Sequence, residues 1–125
     1  MAKIENLGLE NWMLQLRRRD LQRIGIELEI LDLRTLRPLD RDAIVASVRR
    51  TRRLITVHEA WVAGGIGAEV VASVVEEAPE LLLAPVIRIG AAPVPVPSGK
   101  VRPHALPNVR HIVDAARRAI ASTRA

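Results

Sequence analysis

His58 and Glu59 stand side by side, and a glycine-rich turn, Gly64-Gly65-Ile66-Gly67, follows within a few residues. An imidazole next to a carboxylate is a pair with which proteins move protons. A glycine turn that opens a helix is a device for cradling phosphate. Both lie in one stretch, Val57-His58-Glu59-Ala60-Trp61-Val62-Ala63-Gly64-Gly65-Ile66-Gly67-Ala68-Glu69. Neither chemistry is completed by the residues around it. Neighbours on a strand point to opposite faces, so His58 and Glu59 do not converge on one atom. Gly65-Ile66-Gly67 runs on to Val70 where a dinucleotide fingerprint needs a third glycine, and no Gly-Lys-Ser/Thr is present. His104 and His111 are too scattered to build a metal site with His58, and the absence of cysteine removes thiolate ligands and disulfides. Ser47, Ser73 and Ser98 lack a nucleophile-elbow context. Asp32 and Arg34 suit a local ion pair, worth little if exposed. The residues therefore assign no catalytic, cofactor-binding or metal-binding position. The glycines read as a tight turn that lets the helix over 68–78 pack closely.

The elements around this stretch place it at the carboxyl end of a strand, where ligands and partners meet open α/β sheets. A helix is expected over Leu9 to Ile24, with Leu9, Trp12, Met13, Leu16 and Ile24 on one face and Gly25 as its terminator. Strands are expected over Ile26 to Leu33, Leu54 to Val57 and Val86 to Ile89. Arg34 to Leu39 is a connector restrained by Pro38, and Asp40 caps the next helix. Val70, Val71, Val74, Val75 and Ala78 form one apolar helical face, closed by Pro79. Five prolines between Ala91 and Pro107 predict an extended, largely irregular loop. Asn108 caps a last helix with an apolar face of Ile112, Val113, Ala116, Ala119 and Ile120. A short edge strand is expected only weakly, at Ala2 to Ile4. Alternation of strands and helices implies a parallel sheet covered on both faces. Residues 1–24 read as an atypical N-terminal segment with a helix, 25–121 as the domain, and 122–125 as a frayed tail.

A chain of 125 residues with 49% hydrophobic content is one domain with a core of its own. The net charge of +5 raises nucleic acid as a partner. Its arginines come in short runs, Arg17-Arg18-Arg19, Arg49-Arg50, Arg52-Arg53 and Arg117-Arg118, that read as solvated helix faces. With no Tyr, no Phe and two Trp, stacking platforms for single strands are missing. No apolar run approaches a membrane span. Met1 to Asn11 lacks the apolar core of a signal peptide, which makes the cytoplasm the expected compartment.

Several of these segments, in this order, resemble one family. Gly25-Ile26-Glu27-Leu28-Glu29-Ile30-Leu31-Asp32-Leu33-Arg34-Thr35-Leu36-Arg37-Pro38-Leu39-Asp40 looks like the opening of a transketolase C-terminal domain. Val57-His58-Glu59-Ala60 through Gly64-Gly65-Ile66-Gly67-Ala68-Glu69 is similar to the same family, as are Ala84-Pro85-Val86-Ile87-Arg88-Ile89-Gly90, Val94-Pro95-Val96-Pro97 and Leu106-Pro107. More narrowly, they resemble the β subunit of the thiamine-diphosphate-dependent first component of 2-oxo acid dehydrogenase complexes (pyruvate, branched-chain or acetoin). The resemblance covers roughly Gly25 to Ile120. It implies a three-layer α/β/α sandwich around a five-stranded, mostly parallel (mixed) sheet, here with its first strand weak or missing.

The resemblance also implies that the catalytic histidine and thiamine diphosphate belong to a pyrimidine-binding domain and an α subunit, with no cofactor bound by this chain. The implied role is non-catalytic. It is association with itself as a dimer and with the α and β subunits of the first component, extending to docking on the dihydrolipoyl acyltransferase core. Contact residues under this reading are His58, Glu59, Trp61, Gly64, Gly65, Gly67, Glu69 and Leu83. His58 and Glu59 would be presented to a neighbouring subunit. Many members carry an acidic residue at the position of Leu83, and Lys3-Ile4-Glu5-Asn6-Leu7-Gly8 departs from the family's first strand, as a truncated or replaced start would. Two readings of other classes stand beside it: a free-standing regulatory or small-anion-binding module using the His58–Gly67 loop, and a basic nucleic-acid binder.

Overall fold

The structure is a computed structural model that describes the backbone of residues 2–7 and residues 19–122. Its strands are β1 (Ala2–Leu7), β2 (Leu28–Asp32), β3 (Ile55–Trp61) and β4 (Ile87–Ala91). Its helices are α1 (Arg41–Thr51), α2 (Ile66–Glu77), a short α3 (Arg102–Ala105) and α4 (Val109–Ala121), and residues 19–23 are also helical. The sheet order is β2-β1-β3-β4, and every pairing is parallel.

The α/β fold with a parallel sheet is as expected, and the sheet of the described residues has four strands. One expectation is corrected. The strand expected at best as a short edge over Ala2 to Ile4 runs from Ala2 to Leu7 and lies inside the sheet, with Ile4 opposite Ile30 on one side and Ile55 on the other. Strand preference depends more on context than on intrinsic propensity, so a segment with lysine, glutamate and asparagine can still be an inner strand. The helix expected over Leu9 to Ile24 lies mostly outside the described residues.

Gly25 ends the helical residues as expected. It has φ 77°, its N–H donates to Gln22 O (3.1 Å), and Ile26 N–H donates to Leu21 O (2.9 Å). These bonds make a Schellman motif, in which the residue after the glycine packs against the last turn. Leu21 and Ile26 are accordingly both buried in one cluster, whereas Ile24, expected on the apolar face, is 51% exposed.

Each face of the sheet carries its own core. Leu21, Ile26, Ile55, Val57 and Ile89 meet Ile112, Ala115, Ala116 and Ala119 of α4 on one side. Ile44, Val45 and Val48 of α1 meet Val70, Val74 and Leu81 on the other. Asp40 caps α1, accepting from Ala43 N–H at 3.0 Å. Asn108 and His111 form a reciprocal capping box on α4. Glu29 of β2 accepts from buried Ser47 and from Arg50 of α1, tying the helix to the sheet. The hydrogen bond and charge of Glu29 hold the Arg50 guanidinium above its ordinary range. The proline segment is less irregular than its composition predicts. It closes in a 3-10 turn over Gly99–Val101 and in α3, where Pro103 sits in the first turn and no helical N–H is lost.

Candidate functional site

β3 carries the candidate residues, and it is longer than its sequence suggests. The expected strand ended at Val57, whereas the observed one continues through His58 and Glu59 to Trp61. The extension is bulged: β3 takes four steps from Val57 to Trp61 while β4 takes two from Ile89 to Ala91. Gly90 accommodates the bulge, since a Cβ there would come within 2.6 Å of Ala60 O and 2.9 Å of Val62 N. Bulges at strand ends bend the strand and re-aim its side chains.

His58 and Glu59 point apart, as the strand period requires. Glu59 is exposed, whereas His58 is 2% exposed. The expectation that both are presented outward is corrected for His58, because the first turn of α2 covers its ring. Its Nδ1 lies 3.0 Å from Ala60 O. A carbonyl can only accept, so Nδ1 is the donor in this contact. Nε2 and the neighbouring Thr56 Oγ1 are buried and have no hydrogen-bond partner. Both face Gly67, where a Cβ would lie 2.7 Å from Thr56 Oγ1 and 2.8 Å from His58 Nε2. A Cβ on Gly65 would strike Trp61 O and approach His58 Nε2 to 2.9 Å. The lack of a side chain at both positions lets α2 start directly on top of the imidazole, Thr56 and the Trp61 carbonyl.

The rest of the turn is held from outside. Gly64 has φ 73°, a conformation that favours glycine. Gly65 is the N-cap of α2 and offers it no side-chain bond. Glu69, exposed in the first turn, lies where a negative charge suits the helix dipole. Trp61 Nε1–H donates to Val94 O at 3.3 Å and so ties the turn to the proline segment, yet the residue stays 48% exposed. Leu83 is not part of this cluster. Its N–H donates to Arg52 O (2.9 Å), just before β3, so it sits at the opposite end of that strand.

A cleft of about 360 Å³ opens at the carboxyl ends of β2 and β3, lined by Asp32, Arg34, Leu36 and Glu59, with His58 in its floor. Two of its charges pair with each other: Arg34 Nε lies 3.1 Å from Asp32 Oδ2, and Arg34 N–H donates to Asp32 Oδ1 at 3.3 Å. Thr56 and Gly90, which the sequence reading passed over, complete the arrangement. Thr56 was detectable in principle, because it lies two residues before His58 and so on the same face of the strand.

A diphosphate cofactor needs a cradle of free backbone N–H groups and carboxylates or imidazoles converging on a divalent cation. Here the imidazole of His58 already fills the space beneath the glycine turn. Among the described residues no three His, Cys, Asp or Glu side chains converge. These residues do not fit thiamine diphosphate.

A parallel sheet covered on both faces, with a histidine-packed glycine turn at its carboxyl edge, defines an α/β/α sandwich domain. The model of the family described as "Transketolase, C-terminal domain" matches residues 18–112, and the chain belongs to that family. It is 51% identical over 100 residues to the pyruvate dehydrogenase E1 component subunit beta-2, mitochondrial, of Oryza sativa subsp. japonica, covering 79% of this chain and 27% of that protein. The subunit beta of Rhizobium meliloti (strain 1021) is 40% identical over 97 residues, covering 77% and 21%. A solved split-gene transketolase, an inactive beta4 tetramer, superposes with TM-score 0.81 at 28% identity, covering 98% of this chain and 39% of that one. The chain thus spans little more than a quarter of the length of the first two or three curated relatives that it matches.

Proposed function

We propose that this chain is a C-terminal assembly domain of a thiamine-diphosphate-dependent 2-oxo acid dehydrogenase first component, acting in the β-subunit role within the cytoplasm. The observation that carries the reading is the pairing of 51% identity to a pyruvate dehydrogenase E1 β subunit with a site whose histidine is buried beneath a helix start. Such a site holds a surface in shape. The surface it holds includes Trp61 at 48% and Val96 at 61% exposure, beside the exposed Glu59. Exposed apolar groups around a rigid turn suit a protein interface better than water.

Under this reading the domain dimerises and associates with the chains that carry the pyrimidine-binding domain and thiamine diphosphate. Docking to the acyltransferase core is the finer part of the proposal, and Leu83 contributes no charge to it. The test is co-purification of the tagged chain with co-expressed first-component subunits, alongside light scattering of the chain alone. Complex formation that Trp61→Ala and Val96→Asp weaken is the expected result. Thiamine-dependent turnover of a 2-oxo acid by the purified chain without partners would overturn the proposal.

A further inference from the structure

The outer edge of β4 is built differently from the glycine turn. β4 has β3 on one side and, among the described residues, no strand on the other. Along a parallel strand, successive residues direct their N–H and C=O groups to alternate sides. Ile87 N–H donates to Leu54 O (3.2 Å), so Ile87 and Ile89 turn toward β3 while Arg88 and Gly90 turn outward. Ala92, next in the outward series, donates to Ala105 O (2.9 Å). Among the described residues no strand or loop backbone pairs with the outward groups of Arg88 and Gly90.

α4 runs beside this edge. His111, Asp114, Arg117 and Arg118 of the helix, with Arg88 and Gly90 of the strand, line a groove of about 670 Å³. Arg117 and Arg118 are exposed and have no ion-pair partner among the described residues. Arg88 spends one N–H on the neutral Val62 O at 3.3 Å. Three arginines thus line the groove against the one carboxylate of Asp114. Ile89 packs in the core beneath α4, so its neighbour Arg88 belongs to the opposite face of the sheet.

We propose that this groove binds an extended acidic peptide, which adds to the sheet as a strand along β4. The peptide backbone pairs with Arg88 and Gly90, and its carboxylates meet cations on both faces: Arg88 on one, Arg117 and Arg118 on the other. The geometry selects acidic residues at successive positions, because alternate side chains of the added strand reach opposite faces. This inference does not rest on the assembly role, since it is argued from the backbone edge of β4 and the arginines beside it.

The test uses the whole 125-residue chain and a fluorescein-labelled peptide of consecutive glutamates flanked by valines, followed by anisotropy. The same peptide N-methylated at alternate residues keeps every charge and loses the N–H groups that a strand must donate. Binding weakened about tenfold or more by N-methylation, and again by R117E/R118E with the circular dichroism unchanged, is the expected outcome. Equal binding of the methylated peptide refutes strand addition on the unaltered chain, whatever the variant does. Duplex DNA that competes as well as the peptide, charge for charge, makes the groove a general polyanion surface and overturns the proposal. So does failure to saturate up to roughly 1 mM peptide.

Discussion

At the residue scale the deciding contact is between one imidazole and two glycines. A histidine followed closely by a glycine turn looks like chemistry, because each half is used that way elsewhere. In this chain the ring fills the space that a phosphate would need, with His58 Nε2 2.8 Å from where a Gly67 Cβ would stand. Both neighbours of that position, Thr56 and His58, are fully buried and have little room to retreat. Gly67→Ala is expected to destabilise the fold by about 1–3 kcal/mol through overpacking, measured by urea unfolding. Adding His58→Ala removes one of the two opposing groups, so the double variant should lose less than the sum of the single ones, with a coupling of about 0.5–3 kcal/mol. Gly65→Ala should show no comparable rescue, because its Cβ meets the backbone oxygen of Trp61. Additive losses at 67 would mean that Thr56 Oγ1, 2.7 Å from the same point, excludes the methyl group and the ring does not. The opposite orientations of His58 and Glu59 were legible from the strand period alone. The burial of His58 was not, since it depends on a helix arriving from eight residues downstream.

The elements show which local signals are strong. Asp40, Asn108 and Gly25 each terminate a helix as their side chains or backbone freedom dictate, and each was readable from the chain. Asp40→Ala should cost about 1 kcal/mol, as loss of an N-cap does, while Asp40→Asn should keep most of it; equal losses in thermal unfolding would show that the cap bond is not what matters. Boundaries were harder. β3 continues four residues past Val57 because β1 pairs with it at His58 and β4 rejoins it at Trp61 across a bulge, so its length is set by partner strands. The valine-rich helix α2 was legible because its apolar residues recur at helical spacing. Its exposed Val75, at 47%, shows that the stripe is narrower than the run of valines suggested.

For the whole molecule, the order β2-β1-β3-β4 makes the first strand indispensable. β1 holds the two neighbours together, so a chain lacking residues 1–7 should lose its cooperative unfolding transition altogether, a loss comparable to the 5–15 kcal/mol that stabilises an ordinary domain. A truncated chain that melts cooperatively near the parent temperature would place β1 outside the folding unit. The alternation of strands and helices, the parallel sheet covered on both faces and the positions of the caps follow from the sequence, because periodicity, capping and right-handed connection act over a few residues at a time. The family was also legible there, from motifs in order. Three things depend on tertiary structure: that a polar-looking opening segment is an inner strand, that His58 faces inward under a helix start, and that Arg88, Arg117 and Arg118 line one groove. Each joins residues far apart in the chain. Register and burial across such distances are set by which surfaces pack, and no local pattern encodes that choice.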